Sequence, residues 1–371
     1  MWDLDFVIAA AMLVALTLYA LMAGADYGGG VWDLFASGPR EYDQRNLIKS
    51  VIGPVWEANH VWLILVIVAL FTGFPAAFAL ICTALHIPLT LLIVGIVLRG
   101  SAFSFRTYDS ENDETQRRWG LIFSIASIFT PIMLGVVVGA ISSGKLYAPI
   151  PAADLSHVKI PGPALALAMS AGRWKFDFIT PWLSAFPISV GFLALSLFAF
   201  LAATYLTCET QDKDLQNDFR KRALISQGFV AASALLVFLL ARTGAPAIRH
   251  HLQASNYAMA LHVITAIVSV AAISTLFLKR YHLARMFAAG QATLILWGWA
   301  FAQFPFLVRP DLDIYNSAAP DITLKLLLIA LITGGIILFP CIFYLLSVFH
   351  SKAPAEAAVG VNAGPQKDHP V

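Results

Sequence analysis

The stretch Gly53-Pro54-Val55-Trp56-Glu57-Ala58-Asn59-His60-Val61-Trp62-Leu63 sets a carboxylate and an imidazole three residues apart in apolar surroundings. Residues three apart share one face of a helix, so Glu57 and His60 make a pair suited to accepting, holding and passing on a proton. The same residues also suit a capped helix start, with Pro54 in the first turn, Trp56 and Trp62 at interfacial depth, and the polar groups reaching headgroup water. Residue types alone leave both readings open.

Three further groups carry chemistry. Gly24-Ala25-Asp26-Tyr27-Gly28-Gly29-Gly30 closes the first apolar run, where the glycines permit a turn or a close backbone approach. No strand precedes them, which argues against dinucleotide binding. By periodicity alone Asp26 reads as a solvated or helix-capping carboxylate. Leu98-Arg99-Gly100-Ser101-Ala102-Phe103-Ser104-Phe105-Arg106 closes a later run. Arginines there anchor a helix at the membrane surface, while the guanidinium fork also suits bidentate pairing with a carboxylate or a haem propionate. His86 and His262 lie within apolar runs. Bis-histidine haem ligation is one use for them, but imidazoles satisfied by helix carbonyls are the expectation. Cys82, Cys208 and Cys341 are far apart and form no CxxC, so neither a disulfide nor a thiolate metal site is expected. Gly135 and Gly139 form a GxxxG spacing that predicts a close-packing helix face.

The elements that must position these residues are set by composition. Of 371 residues, 59% are hydrophobic and 12% charged, with a mean hydropathy of +0.75. That exceeds what a soluble fold of this length hides, and the net charge of +2 argues neither for a nucleic-acid partner nor for an acidic substrate. A bilayer core of about 30 Å takes roughly 20 apolar residues per helix. Alternating segments of the barrel type are not visible. The expected fold is all-α and polytopic, with about nine transmembrane helices in two four-helix bundles plus one additional helix. The apolar runs place these at Phe6–Ala23, Pro54–Phe71, Ala76–Leu98, Trp119–Ile141, Phe178–Leu206, Ala223–Leu240, Tyr257–Leu278, Ala284–Phe304 and Thr323–Phe349.

Residues 1–141 are therefore read as a first transmembrane bundle, and 142–177, rich in Pro, Ala and Gly, as an extracytoplasmic linker. Residues 178–350 form the second bundle and last helix, and 351–371 a disordered cytoplasmic tail. The opening MWDLDF is acidic where a secretory signal would be basic, so the first run is expected to be retained. Basic residues crowd one set of connections, including Arg40, Arg45, Lys49, Arg117, Arg118, Arg220, Lys221 and Arg222. The positive-inside rule then gives an outer N-terminus and an inner C-terminus.

In order along nearly the whole chain, these motifs resemble cytochrome bd ubiquinol oxidase subunit II, with its cyanide-insensitive relatives. The family's Trp-Asp/Glu-x-Asn-x-x-Trp-Leu stands as Trp56 to Leu63, followed by Phe74-Pro75. Its Arg-Gly-x-Ala-Phe-x-Phe-Arg stands as Arg99 to Arg106. Its Asp-Gly-Phe-Asp-Leu-Gly is matched by Ala23 to Gly28, which keeps the second Asp as Asp26 and lacks the first.

The resemblance implies a complex in the bacterial inner membrane that oxidises quinol and reduces oxygen to water. It places haem b and haem d in subunit I, with no firmly bound cofactor, metal or catalytic residue in this chain. Glu57, Asp26 and His60 would then belong to a proton pathway. Trp56, Asn59, Trp62, Arg99 and Arg106 would serve positioning or charge balance. The implied partners are subunit I, a small third subunit, membrane lipid and quinone. A secondary transporter and a purely structural assembly subunit are the alternative readings.

Overall fold

The structure, a computed structural model, describes residues 3–108, 113–146, 148–149, 174–175 and 177–360. Within these, the side chains of 53–57, 106–108, 113–116, 148–149, 174–175, 256, 342–343 and 345–360 are not described. The described residues are almost wholly helical. In chain order they form α1 (Leu4–Leu34), α2 (Glu41–Gly73), α3 (Pro75–Ala84), α4 (His86–Tyr108), α5 (Asp113–Ser143), α6 (Ala185–Leu206) and α7 (Lys213–Gly244). There follow α8 (Pro246–Ala254), α9 (Asn256–Phe277), α10 (Tyr281–Gln303) and α11 (Asp321–Gly360). Among them seven helices are singly long and apolar enough to cross a membrane, and the bent pair of α2 and α3 makes an eighth candidate. The eighth expected span, α10, is 23 residues long, but Gln291 and Gln303 dilute its apolar content.

Several helices outrun their apolar cores. α1 continues through Gly28-Gly29-Gly30 to Leu34, and all three glycines are buried, because tertiary packing there outweighs the poor helix propensity of glycine. α2 begins at Glu41 and α7 at Lys213, so both carry charged turns ahead of the apolar segment. Asp212 starts α7 by accepting from the Asp214 and Leu215 amides at 2.7 and 3.3 Å. The last helix runs on to Gly360, past Phe349, and the rest of the expected disordered tail, 361–371, lies outside the described residues.

Two expected spans are corrected. Ala76–Leu98 is not one helix. α2 stops at Gly73, and α3 leaves it at a bend of 116°. A second break falls at Leu85, since Pro88 has no N–H to offer the Ala84 carbonyl. The span drawn from Phe178 starts at Ala185, and Pro187 sits in its first turn, where proline needs no N–H partner.

The described residues up to Leu324 belong to one compact unit. Helices from both sides of 142–177 share its core, in which Val31, Trp32, Ile48, Phe123, Phe200, Phe219, Ala272 and Ala288 cluster. The described ends of that connection pair as a two-stranded antiparallel ladder, β1 (Ala148–Pro149) with β2 (Trp174–Lys175). Between α10 and α11, β3 (Phe306–Val308) pairs with β4 (Leu312–Asp313). The same connection reaches the bend after α2, where the Ala319 amide donates to the Gly73 carbonyl at 2.8 Å. The second unit, from Lys325 onward, holds the rest of α11.

Candidate functional site: a buried ion pair

The local sequence of α1 decides what can approach it. A Cβ on Gly24 would overlap the Leu201 side chain, one on Gly28 the Phe198 carbonyl, and one on Gly30 the Ser127 hydroxyl. α6 and α5 therefore lie against the α1 backbone, and the carboxylate between those glycines is sealed off: Asp26 is fully buried. The GxxxG of α5 works the same way, with Gly135 set against the Val190 carbonyl and Gly139 against Pro187 of α6.

An unpaired carboxylate cannot be held in such a place at modest cost. Arg99, on α4 and 1% exposed, supplies the partner. Its Nη1 donates to Asp26 Oδ2 at 2.9 Å, and its Nη2 to Asp26 Oδ1 and to the Asp26 carbonyl, the latter at 3.2 Å. Asn59 Nδ2, from α2, donates to Asp26 Oδ2 at 2.8 Å. Ser127 Oγ, from α5, accepts from Arg99 Nε at 3.0 Å. The guanidinium lies over the Tyr27 and Phe123 rings, 4.6 and 4.8 Å from their centres. Four helices thus meet on one pair of charges.

The polar column continues along α1. Tyr19 and Asp33 stand seven residues to either side of Asp26, on the same face, and both are buried. Asp33 Oδ2 accepts from Ser124 Oγ at 3.2 Å. Among the described residues, the Tyr19 and Tyr27 hydroxyls and Asn59 Oδ1 are enclosed without a well-formed hydrogen bond to protein. Enclosed polar atoms of that kind are where internal water binds.

The expected site residues fall into three groups. Asp26, Asn59 and Arg99 come together in direct contact. His60, next to Asn59 on α2, is half-buried, and Trp62 is buried on the same helix. The side chains of Trp56, Glu57 and Arg106 lie outside the described residues. Asp26 is not the solvated cap that periodicity suggests, and Arg99 is no surface anchor, because the glycines bury the first and the first then requires the second. Sequence reading missed Tyr19, Tyr27, Asp33, Ser124 and Ser127. The heptad spacing of Tyr19, Asp26 and Asp33 was the signal that could have found three of them.

Haem ligation finds little support in these residues. The groups hydrogen-bonded to or stacked on the pair are an amide, a hydroxyl and two ring faces. His86 opens α4 at an exposed position, its Nδ1 2.9 Å from the Thr83 carbonyl, and His262 Nδ1 lies 2.6 Å from the Ala258 carbonyl of its own helix. Among the described residues no three His, Cys, Asp or Glu side chains gather as a metal set.

Long apolar helices closed around an internal carboxylate and guanidinium define a polytopic membrane protein built to keep charge inside its helical core. The chain belongs to the cytochrome bd terminal oxidase subunit II family, whose model matches residues 4–349. It is 23% identical over 344 residues to a putative cytochrome bd menaquinol oxidase subunit II of Bacillus subtilis, covering 90% of this chain and 91% of that one. It is 32% identical over 135 residues to the cytochrome bd ubiquinol oxidase subunit 2 of the same organism, spanning 36% of this chain and 38% of the relative. To cytochrome bd-I ubiquinol oxidase subunit 2 of Escherichia coli K12 it is 31% identical over 135 residues, 35% of this chain and 34% of the relative. In fold it is similar to a chain of the bd oxidase from Geobacillus thermodenitrificans, with a TM-score of 0.73 at 23% identity, covering 94% of this chain and 99% of that one. Family membership leaves no support for the transporter reading.

Proposed function

We propose that this chain is the haem-free subunit of a quinol-oxidising, oxygen-reducing complex of the bacterial inner membrane. In this reading subunit I carries haems b and d, and the present chain braces it and brings protons toward the oxygen-reducing centre. The N-terminus faces outward and the C-terminus inward, as the basic connections favour. The observation that carries the reading is the fully buried Asp26, held by Arg99 and Asn59 one residue from His60 and two from Glu57 in sequence.

Reduction of oxygen consumes protons, and a centre within the bilayer receives them only along titratable side chains and ordered water. Glu57 and His60 exchange the proton. Asp26, held by Arg99 and Asn59, gives the route a second carboxylate, and Arg99 is its countercharge. Water bound at the Tyr19 and Tyr27 hydroxyls and Asn59 Oδ1 bridges the gaps. Trp56, Trp62 and Arg106 position α2 and the end of α4.

The test is Glu57→Gln in the complex purified through a tag on this chain. Quinol-dependent oxygen uptake should fall at least about a hundredfold, the lower end of what a positioned proton-transfer group contributes, with an unchanged reduced-minus-oxidised spectrum. Normal uptake would remove the relay role and leave an assembly subunit.

A further inference from the structure

At the end of the helices where α1 gives way to α2, an open cleft of about 290 Å³ is lined by Ser37, Pro39, Arg40, Gln44, Asp218, Lys221 and Arg222. Its charges are unequal. Asp218 is already engaged by Arg40, whose Nε and Nη2 reach its two oxygens at 3.0 and 2.9 Å, and by Gln44 Nε2 at 3.1 Å. The wall therefore carries three cations, Arg40, Lys221 and Arg222, against the one carboxylate of Asp218. Arg222 is fixed in place: its Nη2 donates to the Phe35 carbonyl at 3.0 Å and to Gln44 Oε1 at 2.6 Å. Its guanidinium lies 5.1 Å from the Phe219 ring centre and 5.5 Å from that of Trp32. Its Nη1 is enclosed and, among the described residues, has no acceptor. A guanidinium charge fixed beside the exposed ammonium of Lys221 attracts one phosphate group.

The surroundings of the cleft are apolar in the direction a lipid would lie. Ile225 and Phe229 follow Arg222 on the same face of α7 and are 59% and 64% exposed. Phe35 and Tyr42, on either side of the α1–α2 connection, are 58% and 75% exposed, as aromatic residues at a membrane interface are. A free anion gives no account of that strip, whereas acyl chains do. We propose that this cleft binds the headgroup phosphate of an anionic phospholipid whose chains run along Ile225 and Phe229.

The protein is extracted in mild detergent through a tag on this chain, with any partner retained. Its thermal unfolding is followed with added phosphatidylglycerol, phosphatidylcholine or inorganic phosphate, and retained lipid is counted by native mass spectrometry. Phosphatidylglycerol should raise the midpoint by about 3–5 °C and remain bound, phosphatidylcholine should do neither, and Arg222→Gln with Lys221→Gln should abolish both effects. Equal stabilisation by phosphatidylcholine overturns the headgroup, and equal stabilisation by inorganic phosphate makes this a free-anion site. An undiminished response in the double variant places the lipid elsewhere. If that variant does not fold, Lys221→Glu alone, at an exposed side chain, should weaken phosphatidylglycerol at least about fivefold, and an unchanged affinity overturns the proposal.

Discussion

Replacing Arg99 by Leu removes the countercharge of Asp26 and leaves that carboxylate, fully buried, with Asn59 as its remaining side-chain donor among the described residues. Three hydrogen bonds to Asp26 and one to Ser127 disappear together with two ring contacts. Breaking a buried pair from one side costs about 3–5 kcal/mol, because the surviving charge is uncompensated. At about 2–4 °C per kcal/mol for a chain of this size class, the unfolding midpoint falls by roughly 10 °C. The sharper form of the test is the double variant Asp26→Leu with Arg99→Leu. An apolar pair in place of a buried ion pair is often neutral or stabilising, so the double variant should recover most of what the single one loses. Unfolding of the detergent-extracted protein, read by loss of the monodisperse gel-filtration peak after heating, measures all three. A single variant within about 2 °C of the wild type, or a double variant no better than the single, would refute the assignment of Arg99 as the countercharge of Asp26.

Other outcomes follow from the same coordinates. Gly28→Ala drives a methyl group into the Phe198 carbonyl and should cost at least about 1–3 kcal/mol, while Gly228→Ala, with open space around its Cβ, should be neutral or stabilise by up to about 1 kcal/mol; the two midpoints must diverge. His251 on α8 has its pKa held below the ordinary histidine value, first by burial and then by the charges of Arg309 and His250. A depressed histidine binds fewer protons folded than unfolded, so its contribution is complete above the ordinary value near 6.5 and is lost as pH falls through and below it. Midpoints measured from pH 5 to 8, about that value, should climb with pH in the wild type and climb less in His251→Gln. Tyr19→Phe removes one enclosed hydroxyl without altering shape and should slow quinol-dependent oxygen uptake while leaving the midpoint within about 1 °C; uptake equal to the wild type would take the Tyr19 hydroxyl off the proton route.

The class of fold is legible in the chain because apolar runs of span length have few other uses, and the basic connections are legible for the same reason. Helix ends are less so. The runs stop where lipid stops, whereas α1, α2 and α7 stop where hydrogen bonding and packing stop, which is several turns further out. The breaks at Phe74 and Leu85 are written in Pro75 and Pro88, but hydropathy averages pass over them. The pairing of Asp26 with Arg99 was readable only as two separate possibilities, a carboxylate seeking a donor and a guanidinium seeking an acceptor. Their meeting depends on the glycines that admit α6 and α5 against α1, a matter of three-dimensional contact that no spacing of residues 26 and 99 expresses.

The separation of that pair also sets a schedule. Asp26 and Arg99 are 73 residues apart, and at ribosomal rates of about 5–20 residues per second the guanidinium is synthesised some ~4–15 s after the carboxylate. Over that interval α1 must reside in or beside the insertion machinery with a carboxyl group near one end and no countercharge, a penalty of about 2.5–3.5 kcal/mol had the residue stood at mid-span. The long apolar run preceding it offsets that burden, with a mean hydropathy of 2.4 over its best window. α6, whose backbone seals the pocket, is made later still. The newborn first helix is therefore a waiting intermediate, exposed to membrane quality control until its neighbours arrive, and substitutions that thin its apolar run should lower the yield of inserted protein before they affect any property of the finished one.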